Sequence, residues 1–145
     1  MICMTIKKIY RCIISVLLIM MLSFSIASGS IFELKATSID GREISLSDFK
    51  GKVLLVVNTA SRCGFTTQYK SLEKIYKRFK EHNFVVLAFP SNDFRQEHST
   101  NEAIKEFCEA YELSFPIFAK GKVKGFEKQA VFKYLTEDSN GRSIG

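Results

Sequence analysis

The sequence predicts an α/β domain built on a partly parallel sheet. Three observations carry this. "KVLLVVN" (52–58) and "FVVLAF" (84–89) are continuous β-branched and apolar runs of strand length, the pattern of strands covered on both faces. Between them, "TTQYKSLEKIYKRFKEHN" (66–83) has helical periodicity. Strand, helix, strand in that order is the signature of a crossover between parallel strands.

The elements follow in chain order. "IFELKATSIDGREISLSDF" (31–49) holds two short alternating segments around Asp40-Gly41, a hairpin turn signal. The first long run is then expected as an inner strand. In the helix after it, Tyr69, Leu72, Ile75, Tyr76 and Phe79 are expected on one apolar face, with lysines and glutamates opposite. Pro90 ends the second strand. "SNDFRQEHST" (91–100) is polar and loop-like. "NEAIKEFCEAY" (101–111) is a helix with an expected capping box from Ser99 to Glu102, and with Ile104, Phe107, Cys108 and Tyr111 facing inward. "FPIF" (115–118) reads as a short strand and "QAVFKYLTE" (129–137) as a short last helix.

The first thirty residues are of another kind. Lys7, Lys8 and Arg11 precede an apolar run from Cys12 to Ser28, with Ser25 and Ala27 at positions suited to a signal peptidase. This is the pattern of a secretory signal peptide, and the run is shorter than the about 20 residues of a membrane-spanning helix. The division expected is 1–29 as a signal peptide, or an uncleaved anchor, and 30–145 as the folded domain. Without the signal the formal charge of +6 becomes about +3, an ordinary balance. No basic stripe with interleaved aromatics points to nucleic acid. The chain is read as exported, touching a membrane only through its N-terminal segment, and as a monomer.

The exported domain keeps two cysteines, Cys63 and Cys108. Neither has a close Cys or His partner at zinc spacing, and His82 and His98 read as lone solvated side chains, so no metal is expected. Cys63 stands after a strand and before a helix, where backbone N–H groups and the helix dipole favour a thiolate. A helix end contributes about 1 kcal/mol, a partial activation that needs further donors. Packing as a small buried hydrophobe is the competing fate of either thiol. Thr66 occupies the fourth position of a motif that would begin at Cys63, so the Cys-x-x-Cys pattern of thiol–disulfide oxidoreductases is not met.

"GKVLLVVNTASRCGFTTQY", "FPSNDFRQE", "IKEFC", "FPIF" and "VFKYL" together resemble the glutathione peroxidase family, a branch of the thioredoxin-like fold. The resemblance covers 32–135. It implies a central mixed sheet flanked by helices. It also implies that Cys63 is the peroxidatic residue, Gln96 a side-chain amide donor at the active site, and Cys108 the resolving thiol of members reduced by thioredoxin rather than glutathione. The substrate implied is hydrogen peroxide or an organic hydroperoxide. No cofactor is implied, because sulfur is the redox group. Ser91 stands where many members carry another cysteine.

The sequence departs from the family in two ways. The loop usual as "GGQEPGS" is "RQEHSTN" here, with arginine where glycine would ease the backbone. The family pattern continues into a Trp-Asn-Phe motif, and this chain has no tryptophan. The resemblance therefore implies a domain short of the C-terminal strands and helix and of two active-site donors. The alternative to an enzyme is a catalytically impaired remnant acting as a binding or structural module.

Overall fold

The structure, a computed structural model, describes residues 29–138. The export segment read from the sequence lies outside them. Among the described residues no helix is long and apolar enough to cross a membrane.

A hairpin opens the domain. Strands β1 (Lys35–Thr37) and β2 (Glu43–Ser45) pair antiparallel, with Ala36 opposite Ile44. Gly41 takes φ +81° in the turn, a conformation open to glycine at little cost. Ser38 closes the turn, donating its N–H to Arg42 O at 2.8 Å and accepting Arg42 N–H on its hydroxyl at 3.1 Å. A single 3-10 turn, Leu46–Phe49, buries Leu46 completely.

Strands β3 (Val53–Thr59) and β4 (Phe84–Pro90) pair in parallel over their whole length, from Val53 opposite Phe84 to Thr59 opposite Pro90. They are joined by helix α1 (Gln68–Phe79), which ends in a 3-10 turn and Asn83 at φ 54°. β4 is the inner strand. Its alternate residues feed two apolar clusters, as a period of two requires. Val85, Leu87 and Phe89 join Leu46, Phe118, Val123, Val131 and Phe132 on one face. Val86 and Ala88 join Tyr69 and Phe115 on the other. Phe89 stacks on Phe118 at 4.3 Å between centroids and meets Phe132 edge-on at 5.6 Å. Each fully buried side chain of this size contributes about 1.5–3 kcal/mol.

Four expectations are corrected. β3 is half-buried rather than inner, because among the described residues β4 is the one strand it pairs with. "FPIF" forms two isolated bridges, Ile117 to Ala88 and Phe118 to Ser38, instead of a strand. On α1, Ile75 and Phe79 are each 40% exposed, while Glu73 is 7% exposed. At 3.6 residues per turn Ile75 points about 120° away from Tyr69, whereas Glu73 falls within the stripe of Tyr69 and Tyr76. Helix α2 (Asn101–Ala110) is capped by Thr100, whose hydroxyl accepts the Ala103 N–H at 3.2 Å, so the capping box from Ser99 does not form. The last helix is short, α3 (Ala130–Lys133), and widens into a π-turn at Tyr134–Asp138.

Buried Glu73 is well used. It accepts from Ser114 N–H at 2.9 Å and Ser114 Oγ at 2.6 Å, and pairs with Lys77 at 3.1 Å. Burial opposes its charge, but these donors win and hold the carboxyl below its ordinary range.

Candidate active site

Cys63 lies in the turns between β3 and α1, at the carboxyl end of a parallel strand, where ligands collect in α/β sheets. Thr66 binds this turn together. Its N–H donates to Cys63 O at 3.0 Å, and its hydroxyl lies 2.5 Å from Cys63 O and 3.3 Å from Ala60 O. The helix itself starts at Gln68, capped by Thr67 without a side-chain bond. Cys63 is therefore farther from the helix end than its place in the sequence suggests, and the dipole's influence falls off within the first turn.

Cys63 is a free, half-buried thiol lining a cavity of about 70 Å³ with Thr59, Ala60, Phe65, Gln68 and Tyr69. Phe65 is 71% exposed and forms an apolar lip beside the sulfur. Gln68 lines the same cavity. Its place, one turn of chain beyond the cysteine in "RCGFTTQY", is the signal that would have found it.

The loop after β4 is brought to this turn, as the resemblance implies, but through its backbone. Arg62 N–H donates to Gln96 O at 2.8 Å. Among the described residues no hydrogen bond joins the Gln96 amide to Cys63. The glycine-poor loop is accommodated by Arg95 at φ 59°, held by its N–H on Asn92 O at 2.9 Å and by Glu97 N–H on Asn92 Oδ1 at 3.1 Å. Such a backbone persists only where its surroundings hold it. Asp93 fastens the other side, accepting from Val123 N–H at 2.7 Å and Lys124 N–H at 3.1 Å. His98 is not a solvated bystander: its Nδ1 lies 3.1 Å from Arg62 Nη2 and its ring 6.1 Å from that of Phe107.

Cys108 sits on the inner face of α2, 3% exposed. It lines a different cavity, about 330 Å³, with Ile39, Ile44, Lys105, Phe115 and Ile117. Burial pushes its thiol up to about 12, with Glu97 and Glu109 adding to the rise. Tyr69 lines the Cys63 cavity. Its ring packs on Phe107 at 5.7 Å and Tyr111 at 5.8 Å, and burial raises its phenol well above the ordinary value, with Cys108, Glu97 and Cys63 contributing. The two thiols are thus near the same side chain yet not bonded to each other. Among the described residues no cluster of His, Cys, Asp and Glu could hold a metal ion.

A thioredoxin-like domain that presents one accessible thiol after a parallel strand and keeps a second under a helix defines a thiol-dependent redox enzyme. The chain belongs to the glutathione peroxidase family: the family model described as glutathione peroxidase matches residues 31–136. It is 47% identical over 120 residues to the hydroperoxy fatty acid reductase gpx1 of Synechocystis sp., covering 81% of this chain and 71% of that protein. It is 50% identical over 114 residues to the glutathione peroxidase homolog BsaA of Halalkalibacterium halodurans, covering 77% and 73%. Among solved structures, T. cruzi GPX1 superposes with a TM-score of 0.58 at 33% identity, covering 74% of this chain and 65% of that one. The chain thus spans a little under two thirds of that structure. These likenesses support thiol peroxidase chemistry and a thioredoxin-like fold.

Proposed function

We propose that the protein reduces hydrogen peroxide and organic hydroperoxides through Cys63, as part of the response to oxidative stress. The observation that carries this is the Cys63 thiol, half-open to solvent in a turn fastened to the Gln96 loop. The Cys63 thiolate attacks the O–O bond and takes one oxygen. The alkoxide or hydroxide leaves and is protonated to an alcohol or water, and Cys63 becomes a sulfenic acid. Once exposed, Cys108 gives up its proton and its thiolate attacks that sulfur; the Cys63–Cys108 disulfide forms, and the displaced hydroxide takes up the proton and leaves as water. A dithiol protein of the thioredoxin type reduces the disulfide, returning two thiols and leaving as its own disulfide. Glutathione is the alternative reductant, and would act directly on the sulfenic acid.

The burial of Cys108 sets a condition on this cycle. A disulfide needs the two α-carbons within about 7 Å and suitably oriented side chains, so the last turns of α2 must open for Cys108 to reach Cys63. Helix α2 ends close by in a left-handed cap: Leu113 N–H donates to Cys108 O at 3.2 Å, and Glu112 adopts φ 54°. We place the enzyme outside the cytoplasm, on the strength of the basic and apolar N-terminal segment.

The test is peroxide titration of the reduced protein, read by intact mass and free-thiol count. Cys63 is expected to gain one oxygen in Cys108→Ser and to form one disulfide in the wild type. A Cys63 thiol untouched by a modest excess of peroxide rejects the proposal and leaves the binding-module reading.

A further inference from the structure

Glu97 is a buried carboxylate in the loop after β4 that the proposed cycle does not use. It is 5% exposed, and the sequence offers no reason for it beyond its place beside Gln96. One oxygen, Oε1, accepts two backbone N–H groups: Ser61 at 3.1 Å and His98 at 2.7 Å. Ser61 is 36 residues away in the chain and two before Cys63. The neighbouring links run alongside. Arg62 N–H meets Gln96 O, and the Arg62 guanidinium meets His98 Nδ1. Residues 61–62 are therefore fastened to 96–98 at three places, and the Glu97 carboxylate is the buried one.

We infer that Glu97 is a positioning residue for the peroxidatic turn, its carboxylate holding the segment that carries Cys63 against the segment that carries Gln96. The inference rests on the peroxidase reading above. Its physical ground is the poor satisfaction of the group. Glu97 Oε2 and Ser61 Oγ are both buried with no hydrogen-bond partner. A half-satisfied buried carboxylate is a weak device for stability, since desolvation opposes what its bonds contribute. It is a good device for geometry: an ionised acceptor makes short, directional bonds to N–H groups. Arg95, two residues before it, sits at φ 59°; bonds to Asn92 hold that conformation from within the loop, and the Glu97 carboxylate ties the loop to the Cys63 turn.

Three measurements test this. In hydrogen exchange of the wild type, the Ser61 and His98 amides are expected to be protected, and the Ser61 amide to lose protection in Glu97→Ala. The rate of Cys63 oxidation by hydrogen peroxide, measured well below the melting temperature, is expected to fall roughly tenfold to a hundredfold in Glu97→Ala. Glu97→Gln, which keeps an acceptor oxygen, is expected to recover most of that rate. A folded Glu97→Ala oxidised at the wild-type rate overturns the inference, as does a Glu97→Gln as slow as Glu97→Ala. An unprotected Ser61 amide in the wild type also overturns it, even if the alanine variant fails to fold. Wild-type protein that is not oxidised at all would sink the peroxidase reading instead. The exchange data, with the rate of Cys63 alkylation by iodoacetamide in the same variants, would still decide whether Glu97 sets the turn.

Discussion

The two cysteines sit in opposite kinds of structure. Cys63 lies in an irregular turn, half-open, its backbone tied down by Thr66 and by links to a loop from the far side of β4. Cys108 lies in a regular helix, on the inner wall of a separate cavity and nearly sealed from water. The turn spends its hydrogen bonds on holding one sulfur where a ligand can reach it. The helix holds the other protonated and out of reach. The proposed roles, Cys63 as the reactive thiol and Cys108 as its resolving partner, would call for such opposite settings: ionisation asks for solvation and donors, whereas protection from premature oxidation asks for burial.

The largest expected effect breaks the pair. Cys108→Ser should leave the first oxidation of Cys63 at the wild-type rate but lower steady-state turnover with thioredoxin by about a hundredfold, roughly 2.7 kcal/mol. Coupled peroxidase assays and single-turnover mixing read the two steps separately. Unchanged turnover would mean that a small thiol meets Cys63 directly and that the buried cysteine is core packing.

A second change leaves both sulfurs in place and loosens the scaffold between them. Glu73→Ala strips Ser114 of the acceptor for its N–H and hydroxyl. Stability should fall by about 1.5–3 kcal/mol in urea unfolding, the range for hydrogen bonds to a charged group. The rate of Cys63 oxidation should stay unchanged, since the turn's own ties do not involve Glu73.

The smallest effect is read in alkali. The fold raises the Cys108 thiol from 9.0 to about 12, so the folded state holds the proton that the unfolded chain gives up. This contribution is complete below pH 9 and is lost as pH rises from 9 towards 12. At pH 10 the loss is about 1.4 kcal/mol. Urea midpoints at pH 8 and 10 should therefore converge in Cys108→Ala relative to wild type. A wild type that loses no more than the variant would show that Cys108 is not sealed as described.

Much of this was legible in the residues. The β-branched runs, the Asp40-Gly41 turn and the two helices stand where local pattern put them, because strand and helix periods are properties of neighbouring side chains. The long block around Cys63 was enough to place the sulfur after a strand. Other features were not legible. Ile75 reads inward and Glu73 outward from their chemistry, against the helical angle; what no local pattern shows is the Ser114 partner that lets Glu73 be buried. "FPIF" had the composition of a strand but found only two bridging partners. The backbone ties between the two loops, Arg62 N–H on Gln96 O and Ser61 N–H on the Glu97 carboxylate, have no signal in the sequence.

By itself, then, the sequence determined the class of fold, the order of its elements and the family, all of which rest on patterns a few residues long or on one contiguous motif. Tertiary structure alone decided which thiol is open and which is closed, which carboxylates are buried, and how two loops become one site. Those outcomes depend on pairs such as Ser61 with Glu97 and Glu73 with Ser114, which are 36 and 41 residues apart. No local pattern encodes such a pair, because the free energy that selects it exists only once the sheet has brought the two segments together.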